Sequence, residues 1–428
     1  MLVMLSRCTS MRSITVILPC IVLAAVSFAF AGDSKSKNQH KNEQGPGPSS
    51  RIEVAPLGYT SPSKFYLVAR FATASLDFID NTHLLFTFRE GGLLPRVPGD
   101  PRDDEDQVIR AMVLDIPTGK IVQQTRWRMH DRQRYLWAIG DGQFLVRQRN
   151  SLYLTGSSLE LRPYLQLDTP LQAVEISPDR KLMMVEIDDY DIPNNSLGDQ
   201  PPGSPPAIET KRPSTKILMV RLADHMVIAE SKSRHSIELP LLANSFLEVF
   251  EGDRPDSWII RNKPFTGEPS VITQLKSACD PAVITLSGNV ALASACPGGS
   301  SDHIVTAYSL KGTVLWQDRW HDRYIWPTFE FAENGSRFAF GSLEINHSLG
   351  SMDPFGEDDV NAQMVGVFDT DTGKLNLVKT ASPVLSSGHN YALSADGSAF
   401  AILREGAIEI YNLPPAAPAS AAVSAAHK

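Results

Sequence analysis

The feature that most constrains this chain is a repeating unit of short strands, clearest at residues 390–414, NYALSADGSAFAILREGAIEIYNLP. Apolar residues alternate at Tyr391 and Leu393, and again at Ala399, Ala401 and Leu403. Ser394-Ala395-Asp396-Gly397 supplies a tight turn, with glycine free to take a positive φ. Arg404-Glu405-Gly406 makes a second turn, and Ile408, Ile410 and Leu413 mark a third strand. Weaker copies recur along the chain, and recurrence at this spacing means a repeat architecture.

In order, the first full unit spans residues 76–127, with strands LDFI, HLLFTF, VIRAMVLDI and GKIVQQTRW. The second covers 135–161. The third begins AVEISPDRKLMMVEI at Ala173 and ends TKILMVRLADHMVIAES. The fourth, about residues 237–276, is the least regular and is inferred mainly from spacing. The fifth contains AVITLSGNVALASAC, and the sixth FEFAENGSRFAFGSLE and QMVGVFDTDTGKLNLVK. Seven units of about four strands, with almost no helical periodicity, predict an all-β, single seven-bladed β-propeller. The seventh unit shows only three strands. An isolated strand at residues 64–71, KFYLVARF, is expected to lie beside residues 407–413 and complete it, removing an exposed edge.

The chain of 428 residues then divides into a signal peptide at 1–31, a flexible tether at 32–58, the propeller at 59–414 and a disordered tail at 415–428. Arg7 and Arg12 precede an apolar run that ends in Ala29-Phe30-Ala31, a small-x-small cleavage site. The rival reading is an uncleaved anchor, because the run nears bilayer-spanning length. Cleavage predicts a periplasmic or secreted protein with no stable membrane span. It also takes two arginines and no acid from a chain of formal charge −8, so nucleic acid is not an expected partner.

SPDRKLMMVE, SADGSAFAIL, VLDIPTGKIV and VFDTDTGKLN resemble the blades of WD-repeat-like and YVTN-type bacterial β-propellers over about residues 60–413. The resemblance implies the fold and an exported protein. It implies little about activity, since that fold hosts scaffolds, lectins, lactonases and quinoprotein dehydrogenases. The Trp-Asp dipeptide of true WD repeats is absent, and Tyr411-Asn412 stands in its place.

In an up-and-down blade, the turn between the second and third strands shares a face with the link to the next blade. Three long insertions fall at that turn, in units one, three and six, and all are acidic. They carry Asp103, Asp104 and Asp106; Asp188, Asp189 and Asp191; and Glu357, Asp358 and Asp359. They read either as a rim that attracts a cationic partner or Ca²⁺, or as solvated loops. The links add an echo. WRMHDRQRYLW and WHDRYIW each hold His-Asp-Arg, then Tyr, an aliphatic residue and Trp. Together with two further link histidines, they make His130, Arg132, Trp137, His235, His321, Arg323, Trp326 and His389 candidate ligand-binding residues at the channel mouth. The bland alternative is that each histidine satisfies polar groups between blades, as Gly388-His389 would.

Cys279 and Cys296 flank a hairpin. With Ser287-Gly288 as a two-residue turn, Leu286 opposes Asn289 and Cys279 opposes Cys296, at a separation that a disulfide accepts. Two cysteines without metal-site spacing do not suggest zinc. The sequence has no nucleophile elbow, P-loop, His-Glu-x-x-His, dinucleotide or haem-attachment motif. No cofactor is expected beyond Ca²⁺ at the acidic loops. The reading that follows is a monomeric, non-catalytic exported propeller binding a protein, peptide or glycan partner through the face with the insertions. The rival is an enzyme at the channel mouth, either a metal-dependent lactonase-like hydrolase or a quinoprotein-like oxidoreductase.

Overall fold

A computed structural model describes residues 43–61, 65–66, 74–92, 94, 106–130, 133–189, 214–298, 302–320, 324–346 and 355–416. These residues form seven four-stranded antiparallel sheets arranged as a propeller. Helix is confined, among them, to the single 3-10 turn Glu357–Asp359. None of their helices is long and apolar enough to cross a membrane. The blades occupy residues 74–129, 136–166, 171–233, 241–276, 282–320, 324–381 and 391–412, the last completed by an N-terminal strand. Their innermost strands are Ala74–Asp80, Leu136–Gly140, Leu171–Ile176, Leu241–Leu242, Ala282–Thr285, Tyr324–Phe331 and Tyr391–Leu393.

The repeated turn motifs form because their side chains replace missing ladder bonds. In the first-to-second turn of blade seven, Ser394 Oγ donates to Asp396 Oδ1 at 2.8 Å and accepts the Ala399 N–H at 2.9 Å. Ser177 and Asp179 repeat this in blade three, at 2.7 Å and with the Leu182 N–H at 3.0 Å. In the third-to-fourth turns, the Gly119 and Gly373 N–H groups donate to the carbonyls of Asp115 and Asp369, each at 2.9 Å or less. Both glycines have φ near +66°, where a Cβ would strain the backbone.

The ring is closed by a different strand from the one expected. Ser50–Glu53 pairs antiparallel with the outer edge of blade seven, Ser50 opposite Ile410 and Glu53 opposite Ala407. This overturns the assignment of residues 64–71 to that place and makes part of the expected tether a strand. Phe65–Tyr66 instead runs parallel to Val384–Leu385. An outermost strand needs only one face covered. Ile52 and Val54, at 4% and 2% exposure, supply the apolar side chains that bury against blades one and seven.

The disulfide between Cys279 and Cys296 is present, with Cα atoms 5.6 Å apart. The hairpin register differs from expectation by one residue. Thr285 opposes Ala291 and the Leu286 N–H donates to the Val290 carbonyl, so the turn holds three residues rather than two. The slip is absorbed beyond the ladder, where the Ala278 N–H donates to the Cys296 carbonyl at 2.9 Å.

Candidate functional site

The first-to-second turns of the blades close one end of the central channel. A Cβ at Gly142 of blade two would lie 2.6 Å from the Ile79 carbonyl oxygen of blade one. One at Gly140 would meet Arg180 of blade three at 3.3 Å and Glu333 of blade six at 3.4 Å. The turns of blades three and five meet at Asp179 and Gly288, and those of five and six at Ser287 and Gly335. The Asn334 N–H donates to the Ala395 carbonyl of blade seven, and Asn81 of blade one donates to Asp396 at 2.8 Å. The Asp141 N–H faces Glu333 across the axis at 3.5 Å. Blade three reaches past blade four to blade five because the inner strand of blade four is only two residues long. The channel is therefore a well with a floor, and its mouth lies on the link face, where Arg134 is exposed just ahead of its inner strand.

Six ionisable side chains from five blades share this well: Asp77, Arg134, Glu175, Arg180, Glu330 and His389. Asp77, Glu175 and Glu330 sit on inner strands, and His389 stands in the link before another. The well is enclosed yet wet, for the side chains of His389 and Glu330 keep 17% and 22% exposure. His389 Nδ1 lies 3.7 Å from Glu330 Oε1. His389 has φ +65° in the tight link after Gly388. The Arg134 guanidinium lies over the Trp137 ring at 5.4 Å, and its Nε donates to the Leu136 carbonyl at 3.1 Å.

Burial, with Glu330 nearby, pushes the Asp77 carboxyl up to about 7. Burial, then the adjacent Glu238 and Glu186, push Glu175 up to about 8. Burial also pushes up Glu330, but His389, Arg180 and Arg134 outweigh it and hold the group below its ordinary value. Burial and Arg134 lower His389, which is therefore neutral at neutral pH despite Glu330. Near neutral pH the well thus holds one firm carboxylate, two guanidinium groups, a Glu175 carboxyl that mostly keeps its proton and an Asp77 carboxyl close to half ionised.

Of the residues singled out in the sequence, His389 enters this set directly and Trp137 only as the ring beneath Arg134. His130 Nδ1 lies 2.9 Å from Asp106, which also accepts a hydrogen bond from Arg128. Trp137 is buried in the core between blades, with its indole N–H unpartnered, and His235 is exposed. Arg132, His321, Arg323 and the side chain of Trp326 lie outside the described residues. So do Asp103, Asp104 and Asp191. Asp189 pairs with Lys232 at 2.6 Å, and Asp188 stands beside it in the same strand. Glu357 and Asp358 are exposed, while Asp359 accepts the Gly356 N–H at 2.7 Å. Among the described residues, no three His, Cys, Asp or Glu side chains come together as a set that could hold a metal ion. A separate open groove of about 500 Å³ lies outside the ring, between Gln123, Gln124 and Trp127 of blade one and Leu159 and Arg162 of blade two.

No family model and no curated protein matches the sequence. Solved structures resemble it in fold. The acylaminoacyl peptidase of Pyrococcus horikoshii aligns at 11% identity and a TM-score of 0.46, over 81% of this chain and 52% of that one. The chain thus spans about half the length of that relative. The β-propeller domain of the Trilobed protease from Pyrococcus furiosus aligns at 11% and 0.43, over 83% and 99%. TolB from Acinetobacter baumannii aligns at 15% and 0.34, over 74% and 78%. At such identities and scores, none of the three carries an activity over to this chain.

Proposed function

We propose that the protein is an exported, non-catalytic binding propeller of the WD-repeat-like or YVTN type, which takes a protein, peptide or glycan partner on its link face. The observation that carries this reading is the floored well, where ionisable groups from five blades meet on the side from which a partner would approach. Strongly shifted carboxyls in a concave site, each with a specific charged neighbour, make that site a functional candidate. Export is supported by the N-terminal targeting pattern, and the Cys279–Cys296 bond suits an oxidising compartment.

Peptide and glycan arrays test the proposal. Wild-type protein and a Gln123→Ala/Gln124→Ala variant of the outer groove are expected to bind the same probes. An Arg134→Glu/Arg180→Glu variant is expected to lose them while keeping its folded circular-dichroism spectrum. Retained binding in the well variant would overturn the reading. Chemical turnover of a bound probe would replace it with the enzymatic one.

A further inference from the structure

Arg134 and Arg180 are the unexplained charges of the well. Buried or enclosed guanidinium groups ordinarily meet a carboxylate in a two-pronged ion pair. Neither does so here: no carboxylate oxygen lies within ion-pair distance of Arg134 or Arg180 among the described residues. Arg180 Nε is buried without a hydrogen-bond partner. Arg180 also sits at φ +55°, an unusual conformation for a residue with a side chain, on the turn that forms the floor. The two arginines come from different blades and lie close enough for each to feel the other. Two like charges brought together without an ion-paired carboxylate, one with its Nε buried and the other exposed at the mouth, are an ordinary arrangement for an anion site.

The surrounding acids cancel this charge only in part. Glu330 stays a carboxylate, with neutral His389 at 3.7 Å and Arg134 and Arg180 acting on it from beyond ion-pair distance. Asp77 faces Ser75, Glu330, Arg134 and Arg180. Glu175 faces Glu238, Glu186, Arg134 and the Leu239 N–H. In their protonated forms, which prevail below about pH 7, Asp77 and Glu175 are hydrogen-bond donors to an incoming oxygen rather than repelling charges. A floor at one end means that a ligand enters by its tip and does not thread through.

Resting on the binding function proposed above, we propose that the well binds a carboxylate, presented by a small acid or by the C-terminal residue of a peptide, between the guanidinium groups of Arg134 and Arg180. A terminal carboxylate fits the fork of one arginine and the shape of a closed well. An amide or a neutral sugar offers hydrogen-bond acceptors but no negative charge to balance the two guanidinium groups.

The test is calorimetric titration of the full chain with succinate and with matched acetyl-trialanine peptides ending in a free acid or an amide. The free-acid peptide is expected to bind about tenfold or more tightly than the amide. Succinate binding alone would assign the site to small acids, and peptide binding alone to chain ends; either supports the carboxylate site. Arg180→Met and Arg134→Met are each expected to cost about tenfold or more, and Arg180→Lys less, because it keeps the charge without the fork. Affinity is expected to fall between about pH 6 and about pH 9, as Asp77 and Glu175 become anions. Should acid and amide bind alike, or both Met variants keep wild-type affinity, the carboxylate assignment falls while the binding function stands. If no acid binds but an array ligand still requires the well, the assignment falls in the same way. If nothing binds on arrays or in titration, both fall.

Discussion

Every residue of Ala399–Arg404 in blade seven is buried, and so are five of the six in Ala407–Asn412. In blade four, two of seven are buried in Ser245–Glu251 and one of eight in Ser257–Pro264. Blade seven is the seam at which the ring could open, and its ion pairs tie three parts of the chain together. Arg404 pairs with Glu43 at 2.9 Å, Lys379 approaches the same carboxylate at 3.8 Å, and Glu409 accepts from Arg51 and from the Tyr411 hydroxyl. Blade four has a two-residue inner strand, and its neighbours touch across it. A closed ring needs its strength where the two ends of the chain meet, and it tolerates slack opposite the well's floor contacts. The seam is also where an unpaired edge would otherwise invite association.

The sharpest way to break this contrast is to remove a charge from each region. Arg337 is 1% exposed, pairs with Asp369 at 3.0 Å and donates to the carbonyls of Gly397 and Pro414, joining blade six to blade seven. Arg337→Met strands Asp369 without its partner and is expected to cost about 3–5 kcal/mol in chemical unfolding. Arg261→Met in blade four breaks a pair with Glu248 whose side chains are 34% and 28% exposed. It is expected to cost less than about 1 kcal/mol. Equal losses would refute the contrast. Next in size is Ile52→Ala, expected to cost about 2–4 kcal/mol and, by loosening the closing strand, to raise the dimer or aggregate fraction in size-exclusion chromatography.

How much of this was legible in the sequence depended on what each segment had to encode. The turn motifs were plain because Ser394, Asp396, Ser177 and Asp179 make the bonds that define them. Blade four was visible only by spacing, since Glu248, Arg261, Asn262 and Lys263 interrupt its strands and leave no clean alternation. The closing strand was misplaced because KFYLVARF carries a stronger apolar signal than SRIEV, in which two inward side chains suffice. The well was missed for a related reason. Inner-strand positions read as core from their apolar alternation, and histidines in the links stand out as the source of chemistry. The available signal was a charge between apolar neighbours within an inner strand, as in Leu76-Asp77-Phe78 and Phe329-Glu330-Phe331. Gly388-His389 was found because its dipeptide is distinctive.

The well adds a pH dependence that the seam does not share. Asp77 and Glu175 have folded-state values of about 7 and about 8, above those of an unfolded chain. The folded state therefore binds more protons between about pH 4 and about pH 8, and unfolding free energy falls as pH rises through that window. The stability is fully present below the unfolded values and is lost above the folded ones. Asp77→Asn is expected to flatten the slope of the unfolding midpoint against pH, and an unchanged slope would show that the carboxyl ionises freely in the well.

The smallest expected effect lies on the outside of blade four. Val271 is the second residue of its outer strand, Ser270–Lys276, and is 64% exposed, while the next residue, Ile272, is 6% exposed and packs inward. The strand alternates correctly, so Val271 faces water because nothing covers that side, and removing its apolar surface forfeits little burial. Val271→Thr keeps the branched shape that suits a strand and is expected to change stability by no more than about 0.5 kcal/mol. Ile272→Ala, one position along, is expected to cost several times more, in the range of about 2–4 kcal/mol. If the two losses match, the exposed side of blade four is packed against something in solution, and the slackness assigned to that blade belongs to the isolated chain.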